Sequence, residues 1–327
     1  AYTLMNLGAL EQMFAVPDPD KSLVLMQAAV QYAQMALVLD PGNAEFESSL
    51  ATTLEWQSDA WLRVCSLGQA LEGRYETVAI RRNLLEGSPD DATMKIDLAF
   101  TLSGLSNAEQ QIGLNDNAVE SLREAIDMLV AVLHDEPENE YIEWETLYRE
   151  SRIARILVAV GELDEAREIV LRVSERINVL SREGGLKDQI RVVENEVFNL
   201  DRARLLLAQG EIEQGEALLQ ATAEHLAEMV QEFPEFRDSL IALAAVSFEY
   251  WEHFGQQPPG SAELLTPLYR EAVEVRACTE ADRVARMAVM NGDTELARRM
   301  TDYAVEKGYF DAGFINFCRR YGLCELP

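Results

Sequence analysis

The chain has 327 residues, 48% hydrophobic and 26% charged, enough apolar material for two ordinary domains or one long array of repeats. Its 57 Asp and Glu against 28 Lys and Arg give a formal net charge of −29, a surface that repels nucleic-acid phosphates and anionic lipid and so argues against both as direct partners. With 18 Gly and 10 Pro, an all-β protein full of tight turns is disfavoured.

Apolar residues at helical spacing predict helices over 2–14 and 20–39, then a turn at Asp40-Pro41-Gly42-Asn43. The chain opens within a helix, without a basic segment leading into an apolar one, and reads as a piece of a larger protein. No run looks apolar enough for a membrane span, so direct membrane insertion is not expected. Helices follow over 43–71 and 74–86, with Gly73 between them and Val78 five residues on, then the turn Ser88-Pro89-Asp90-Asp91. The next pair, 90–111 and 115–134, brackets Gly113 with Ala118 five residues on, and closes at Glu136-Pro137-Glu138-Asn139. Helices over 138–159 and 163–182 bracket Gly161 and Ala166, and Gly184-Gly185 stands where the next closing turn is due. Helices over 186–208 and 212–232 bracket Gly210 and Gly215, and Phe233-Pro234-Glu235-Phe236 leads into a helix over 235–254. Gln256-Gln257-Pro258-Pro259-Gly260 reads as a linker. Shorter helices over 261–276, 280–290, 294–307 and 311–321 read as a capping region.

Two markers share one period. The turn prolines at 41, 89, 137 and 234 are 48, 48 and 97 residues apart, and Gly113, Gly161 and Gly210 are 48 and 49 apart. Each period holds a long helix, a glycine turn, a second long helix and a proline or glycine turn. Pro lacks an N–H and suits a first helical turn, while the residue before it leaves the α region. Asp40, Ser88 and Glu136 therefore end helices, and Asp40 and Ser88 are placed to cap the N–H groups ahead. The expected organisation is a repeat array over 1–255, a linker over 256–260 and a cap over 261–327.

The segment around Gly161 and Ala166 reads Gly-Glu-Leu-Asp-Glu-Ala-Arg. The N-terminal run carries Asn6-Leu7-Gly8, then Ala28, Tyr32, Ala33, Ala36, Leu37, Leu39, Asp40, Pro41, Gly42 and Asn43. Both resemble the tetratricopeptide (TPR) repeat, over most of residues 1–255. The period here is 48 rather than the family's usual 34, and most copies lack the aromatic positions. Long-helix arrays of this kind are similar to the C-terminal regions of multidomain bacterial signalling proteins. The resemblance implies an all-α, α-α superhelix: a TPR-like solenoid of antiparallel hairpins whose concave groove binds a peptide or partner domain. The family's Lys/Asn/Arg clamp for acidic tails finds only Arg63 and Lys95 on the helices at 43–71 and 90–111, so it is not expected there.

No catalytic motif is present, and no cofactor or metal is expected. His134, His225 and His253 lack a second His at helical zinc spacing. Asp18-Pro19-Asp20-Lys21-Ser22 lacks the Gly and Glu of a calcium loop. Cys65, Cys278, Cys318 and Cys324 are too few for a disulfide framework. Cys318 and Cys324 could pair in an oxidising compartment, but they read first as small apolar residues of a terminal cap. A cytoplasmic location is favoured, with a periplasmic one open if a membrane span lies upstream.

Two constellations could face a partner. Trp144, Tyr148, Arg149 and Arg152 share the helix at 138–159, and Trp, Tyr and Arg dominate binding hot spots; core packing is the alternative. Arg191, Asn195, Asn199 and Arg202 fall on one face of the helix at 186–208. Asn can bracket a peptide backbone there and Arg can fork a carboxylate; a solvated polar stripe is the alternative. The expected function is a non-catalytic scaffold or sensor module that binds a protein or peptide, with a basic partner favoured by the charge. A small-molecule-binding regulatory domain is the alternative.

Overall fold

The computed structural model describes residues 2–13, 19–182, 189–270 and 275–325, and their regular structure is all α-helix. The helices are α1 (Tyr2–Met13), α2 (Pro19–Leu39), α3 (Ala44–Arg63), α4 (Leu67–Gly87), α5 (Ala92–Gln111), α6 (Asn115–Asp135), α7 (Glu140–Val160), α8 (Leu163–Arg182), α9 (Gln189–Ala208), α10 (Ile212–Glu232), α11 (Arg237–Phe254), α12 (Ser261–Arg270), α13 (Cys278–Met290), α14 (Thr294–Glu306) and α15 (Ala312–Tyr321). They form two compact units. The first is Ala1–Thr146 with Arg276–Cys278 and Ala304–Asp311; the second is Leu147–Val275 with Thr279–Tyr303 and Ala312–Pro327.

The proline turns share one construction. The residue before each proline accepts from the N–H three residues on: Asn43 to Asp40 at 3.4 Å, Asp91 to Ser88 at 3.1 Å, Asn139 to Glu136 at 3.1 Å and Phe236 to Phe233 at 3.0 Å. Proline therefore holds the second place of a β-turn, where its fixed φ is favoured, and not the first turn of the following helix. The helices after these turns begin at Ala44, Ala92, Glu140 and Arg237, later than expected. The caps move with them. Asn43 accepts from the N–H groups of Glu45 and Phe46, Asp91 from Met94, and Asn139 from Ile142. Asp40 does not cap; like Glu136, it accepts from the side-chain amide of the capping Asn at 2.8 Å.

The glycine turns are left-handed helix ends. Gly113, Gly161 and Gly210 have φ of +82°, +90° and +82°. The next N–H reaches five residues back, Leu114 to Glu109, Glu162 to Leu157 and Glu211 to Leu206, at 2.8–2.9 Å. The same end closes α3, but at Cys65: its φ is +56°, and Ser66 donates back to Trp61 at 2.9 Å. The break expected near Gly73 is thus at 64–66, and the helices expected over 43–71 and 74–86 are α3 and α4. The marker was hidden because Cys stands where the other repeats carry Gly, at a left-handed cost of about 1–2 kcal/mol. Five residues on, Ala70, Ala118 and Ala166 are fully buried, leaving no room for a larger side chain. The turn expected at Gly184-Gly185 lies outside the described residues.

In the first unit each of α1 to α5 packs on the next helix, and α3 also meets α1 and α5. Their principal core joins Val78, Leu98, Leu102, Leu105, Leu129 and Ile142. In the second unit α9 packs on α8, α10 and α11, and α12 on α10 and α11. That core runs from Val193 and Leu200 through Leu219, Leu226 and Leu243 to Met287. By length and composition, Asp20–Leu39 is apolar enough to cross a membrane, which corrects the expectation that no run qualifies; a third of it is buried. In this fold α2 packs on α1 and α3 and buries Met26, Ala29, Val30 and Ala33. The fold brings Cys65 against Cys278 and Cys318 against Cys324.

Candidate functional site

Each unit buries charged groups between its packed helices. In the second unit a chain of charged groups crosses α7, α9 and α11. Arg155 Nε donates to Asp201 Oδ2 at 2.9 Å, Arg204 Nη1 to Asp201 Oδ1 at 3.3 Å, and Arg204 Nε to Glu249 Oε2 at 2.6 Å. His253 Nε2 lies 3.3 Å from Glu249 Oε1. Asp201 is 1% exposed and Glu249 10%, so these charges are tolerable only because they are paired. Burial alone would raise the Glu249 carboxyl, but Arg204 and His253 hold it down at about 2. Burial opposes the charge of Arg155 and Arg204, yet their carboxylate partners outweigh it and hold both above the usual value.

The first unit has a counterpart on α3, α4 and α5. Arg81 Nη1 donates to Asp97 Oδ2 and Ser48 Oγ, and Nη2 to Thr52 Oγ1, all at 3.0 Å; its Nε is 3.6 Å from Glu55. Arg74 pairs with Asp59 and needs the missing side chain of Gly104, where an added Cβ would meet Nη1 at 2.5 Å. Both arginine side chains are 7% exposed, whereas Asp59 is 42% and Asp97 40% exposed. The guanidiniums lie inside and the carboxylates outside. Ala44, Ser48, Arg81, Leu84, Asp91, Thr93, Met94 and Asp97 line an open pocket of about 290 Å³, at the small end for an organic ligand.

Glu55 behaves unlike Glu249. Burial raises its pKa more than Arg81, a hydrogen bond from Thr101 and Arg74 lower it. A carboxyl whose folded pKa is raised loses stability as pH climbs from its unfolded value through the folded one. Glu55→Gln is therefore expected to be neutral or stabilising at pH 7 and to flatten the pH dependence of stability above pH ~4.5. Urea melts at pH 4, 5.5 and 7 check this; a loss that grows with pH would contradict it.

The expected site residues fall in different environments. Trp144 is 4% exposed and Arg149 1%, both interior. Tyr148 and Arg152 are half-buried, and burial pushes Arg152 down to about 10, with Arg155 and Arg149 adding to the effect and Tyr148 opposing it. Arg191, Asn195, Asn199 and Arg202 are all half-buried on α9. Asn195 and Asn199 donate to Glu196 at 3.4 and 3.2 Å, and Arg202 donates to Asn199 at 3.1 Å. His225 on α10 lies 2.9 Å from the same Glu196, so this stripe turns toward α10. The Arg155–Asp201–Arg204–Glu249 chain is on another part of the helices and was not anticipated. Its signal was available: Asp59, Arg155, Arg204 and Glu249 each stand six residues before a left-handed helix end, at Cys65, Gly161, Gly210 and Gly255.

Among the described residues, one group offers metal-ligating atoms. Glu249, Glu252 and His253 place one such atom each within 4.8 Å of one another. Glu249 is already engaged by Arg204 and His253, and Glu252 by Arg320 at 2.6 Å and the Tyr321 hydroxyl at 3.2 Å. A metal ion would have to displace the Arg204 and Arg320 guanidiniums from these carboxylates, so the group reads as an ion-paired cluster.

No protein-family model and no curated protein matches the chain. Among solved structures it is similar to a Podosopora anserina putative kinesin light chain with nearly identical TPR-like repeats, at 17% identity and TM-score 0.51, over 70% of this chain and 95% of that one. A single-substitution form of that protein matches at 16% identity and TM-score 0.51, over 70% and 96%. BtubC (BKLC) from P. vanneervenii aligns at 13% identity and TM-score 0.45, over 94% of each chain. Identities this low speak to the fold alone. With long helices in consecutive packed pairs and a 48-residue rhythm, the chain has the fold of the TPR-like helical repeat proteins.

Proposed function

We propose that the chain is a non-catalytic module that binds a protein or peptide carrying a basic surface. The observation that carries this reading is the arrangement in the first unit, where Arg74 and Arg81 are buried beneath the outward carboxylates of Asp59 and Asp97. The net charge of −29 extends that field and would steer a basic partner from a distance. In the second unit, Tyr148, Arg152 and the Arg191, Asn195, Asn199 and Arg202 stripe are the candidate further contacts. Trp144 and Arg149, being interior, would act by holding their helix in place.

Affinity capture across a salt series tests the reading. Association should weaken about tenfold or more between low and physiological ionic strength. Asp59→Asn with Asp97→Asn should weaken it further while the far-ultraviolet signal stays helical. Salt-insensitive capture that survives the double change would exclude the acidic face. Survival of Arg191→Ala with Asn195→Ala and Asn199→Ala would remove the α9 stripe from the site.

A further inference from the structure

The four cysteines carry an inference that the binding reading does not touch. Cys65 and Cys278 have Cα atoms 5.2 Å apart, and Cys318 and Cys324 5.5 Å, both inside the range a disulfide requires. Cys65, Cys278 and Cys318 are at most 2% exposed. No cysteine is left over among the four. The independent observation is the backbone at Cys65. Gly113, Gly161 and Gly210 hold the equivalent left-handed end in other repeats, and among the described residues only here does one with a side chain take a positive φ. A conformation unfavourable for L-residues is retained where its sulfur meets a residue 213 positions away. The segment Arg276–Cys278 is also tied to the rest of the first unit by the Arg276–Asp20 pair. Those side chains are 50% and 70% exposed, so solvent screens that pair.

We propose that Cys65–Cys278 and Cys318–Cys324 are formed and kept as structural cross-links, and that the chain matures in an oxidising compartment, contrary to the cytoplasmic location favoured by sequence alone. For each pair two S–H bonds break and one S–S bond forms. The two electrons and two protons pass to the disulfide of a thiol–disulfide oxidoreductase, which leaves as the dithiol. Burial and the 213-residue separation set the first pair apart from exposed, local Cys-x-x-Cys redox sites.

Trapping thiols in the producing cells with a membrane-permeant alkylating reagent, followed by peptide mapping of the full chain, tests the proposal. The expected result is no labelled cysteine and two linked peptide pairs, 65 with 278 and 318 with 324. Four labelled thiols, or any other pairing, would overturn it. Cys65→Gly gives a second readout, because glycine keeps the left-handed turn while it removes the sulfur together with the Cβ that makes the turn costly. Without reductant the wild type should melt several degrees above this variant. With reductant the order should reverse, since glycine relieves the positive φ. A wild-type melting temperature unmoved by reductant overturns the cross-link.

Discussion

Replacing Arg204 with methionine is expected to destabilise the second unit by about 3–5 kcal/mol, because the change strands charge that has no route to water. Arg204 is shared between Asp201 and Glu249, whose side chains are 1% and 10% exposed. Arg155 still holds Asp201 and His253 still faces Glu249, which places the expected loss toward the lower end. Methionine restores much of the volume, so the deficit is electrostatic and not a cavity. The pH dependence identifies its source. Glu249 sits at about 2 in the folded protein, below its ordinary 4.5. A depressed carboxyl contributes stability that is present above the unfolded value and is lost as pH falls from ~4.5 through ~2. For a buried group the contribution at neutral pH is on the order of 3 kcal/mol. Urea unfolding from pH 7 to pH 2.5 should show the wild type losing stability below pH ~4.5 and Arg204→Met losing less. Parallel curves for the two proteins would mean that Arg204 does not set the Glu249 carboxyl.

The same ion pairs show what the sequence could and could not reveal. The repeat was legible because proline and glycine act locally: a fixed φ at Pro41, Pro89 and Pro137 and a left-handed end at Gly113, Gly161 and Gly210 leave marks at constant spacing. It was misread where the mark was replaced, since Cys65 makes the glycine's turn without being glycine, and Gly73 lies inside α4. The caps slipped by three residues because a turn proline and an N1 proline look alike in sequence, while the hydrogen bonds of Asn43, Asp91 and Asn139 separate them. Site chemistry was less legible for a different reason. Asp201 finds Arg155 at a sequence separation of 46, and Glu249 finds Arg204 at 45. A search for spacings of three and four within one helix picks out Arg191, Asn195, Asn199 and Arg202 and passes over partners one repeat away. Arg149 illustrates the converse, a charged side chain that reads as surface and is 1% exposed.

Phe248→Ala should cost about 4 kcal/mol, and its effect should be confined to the last helices of the second unit. Phe248 is 2% exposed on α11 and sits where α13 and α15 meet that helix. Its ring packs edge-on against Phe317 of α15 with centroids 5.6 Å apart and lies 6.0 Å from Trp251. Arg286 of α13 places its guanidinium 5.2 Å from the Phe248 ring and 4.8 Å from Phe317, held in position by Asp282 at 2.7 Å. Truncation removes the aromatic contact, worth about 1 kcal/mol beyond burial, and one of the two faces against which Arg286 is desolvated. Leucine at 248 should recover most of the burial but neither the edge-on contact nor the cation–π term, leaving a deficit of about 1–2 kcal/mol. Tyr321 and Arg320 also tie α15 to Glu252, but their donors are exposed or half-exposed and cannot replace a buried ring. Hydrogen exchange should therefore show α13 and α15 losing protection while the α9 and α10 amides, packed on Leu200, Leu219 and Leu226, keep theirs. Equal loss across the unit would instead mean that these last helices are part of one cooperative core and not a separable cover for α11.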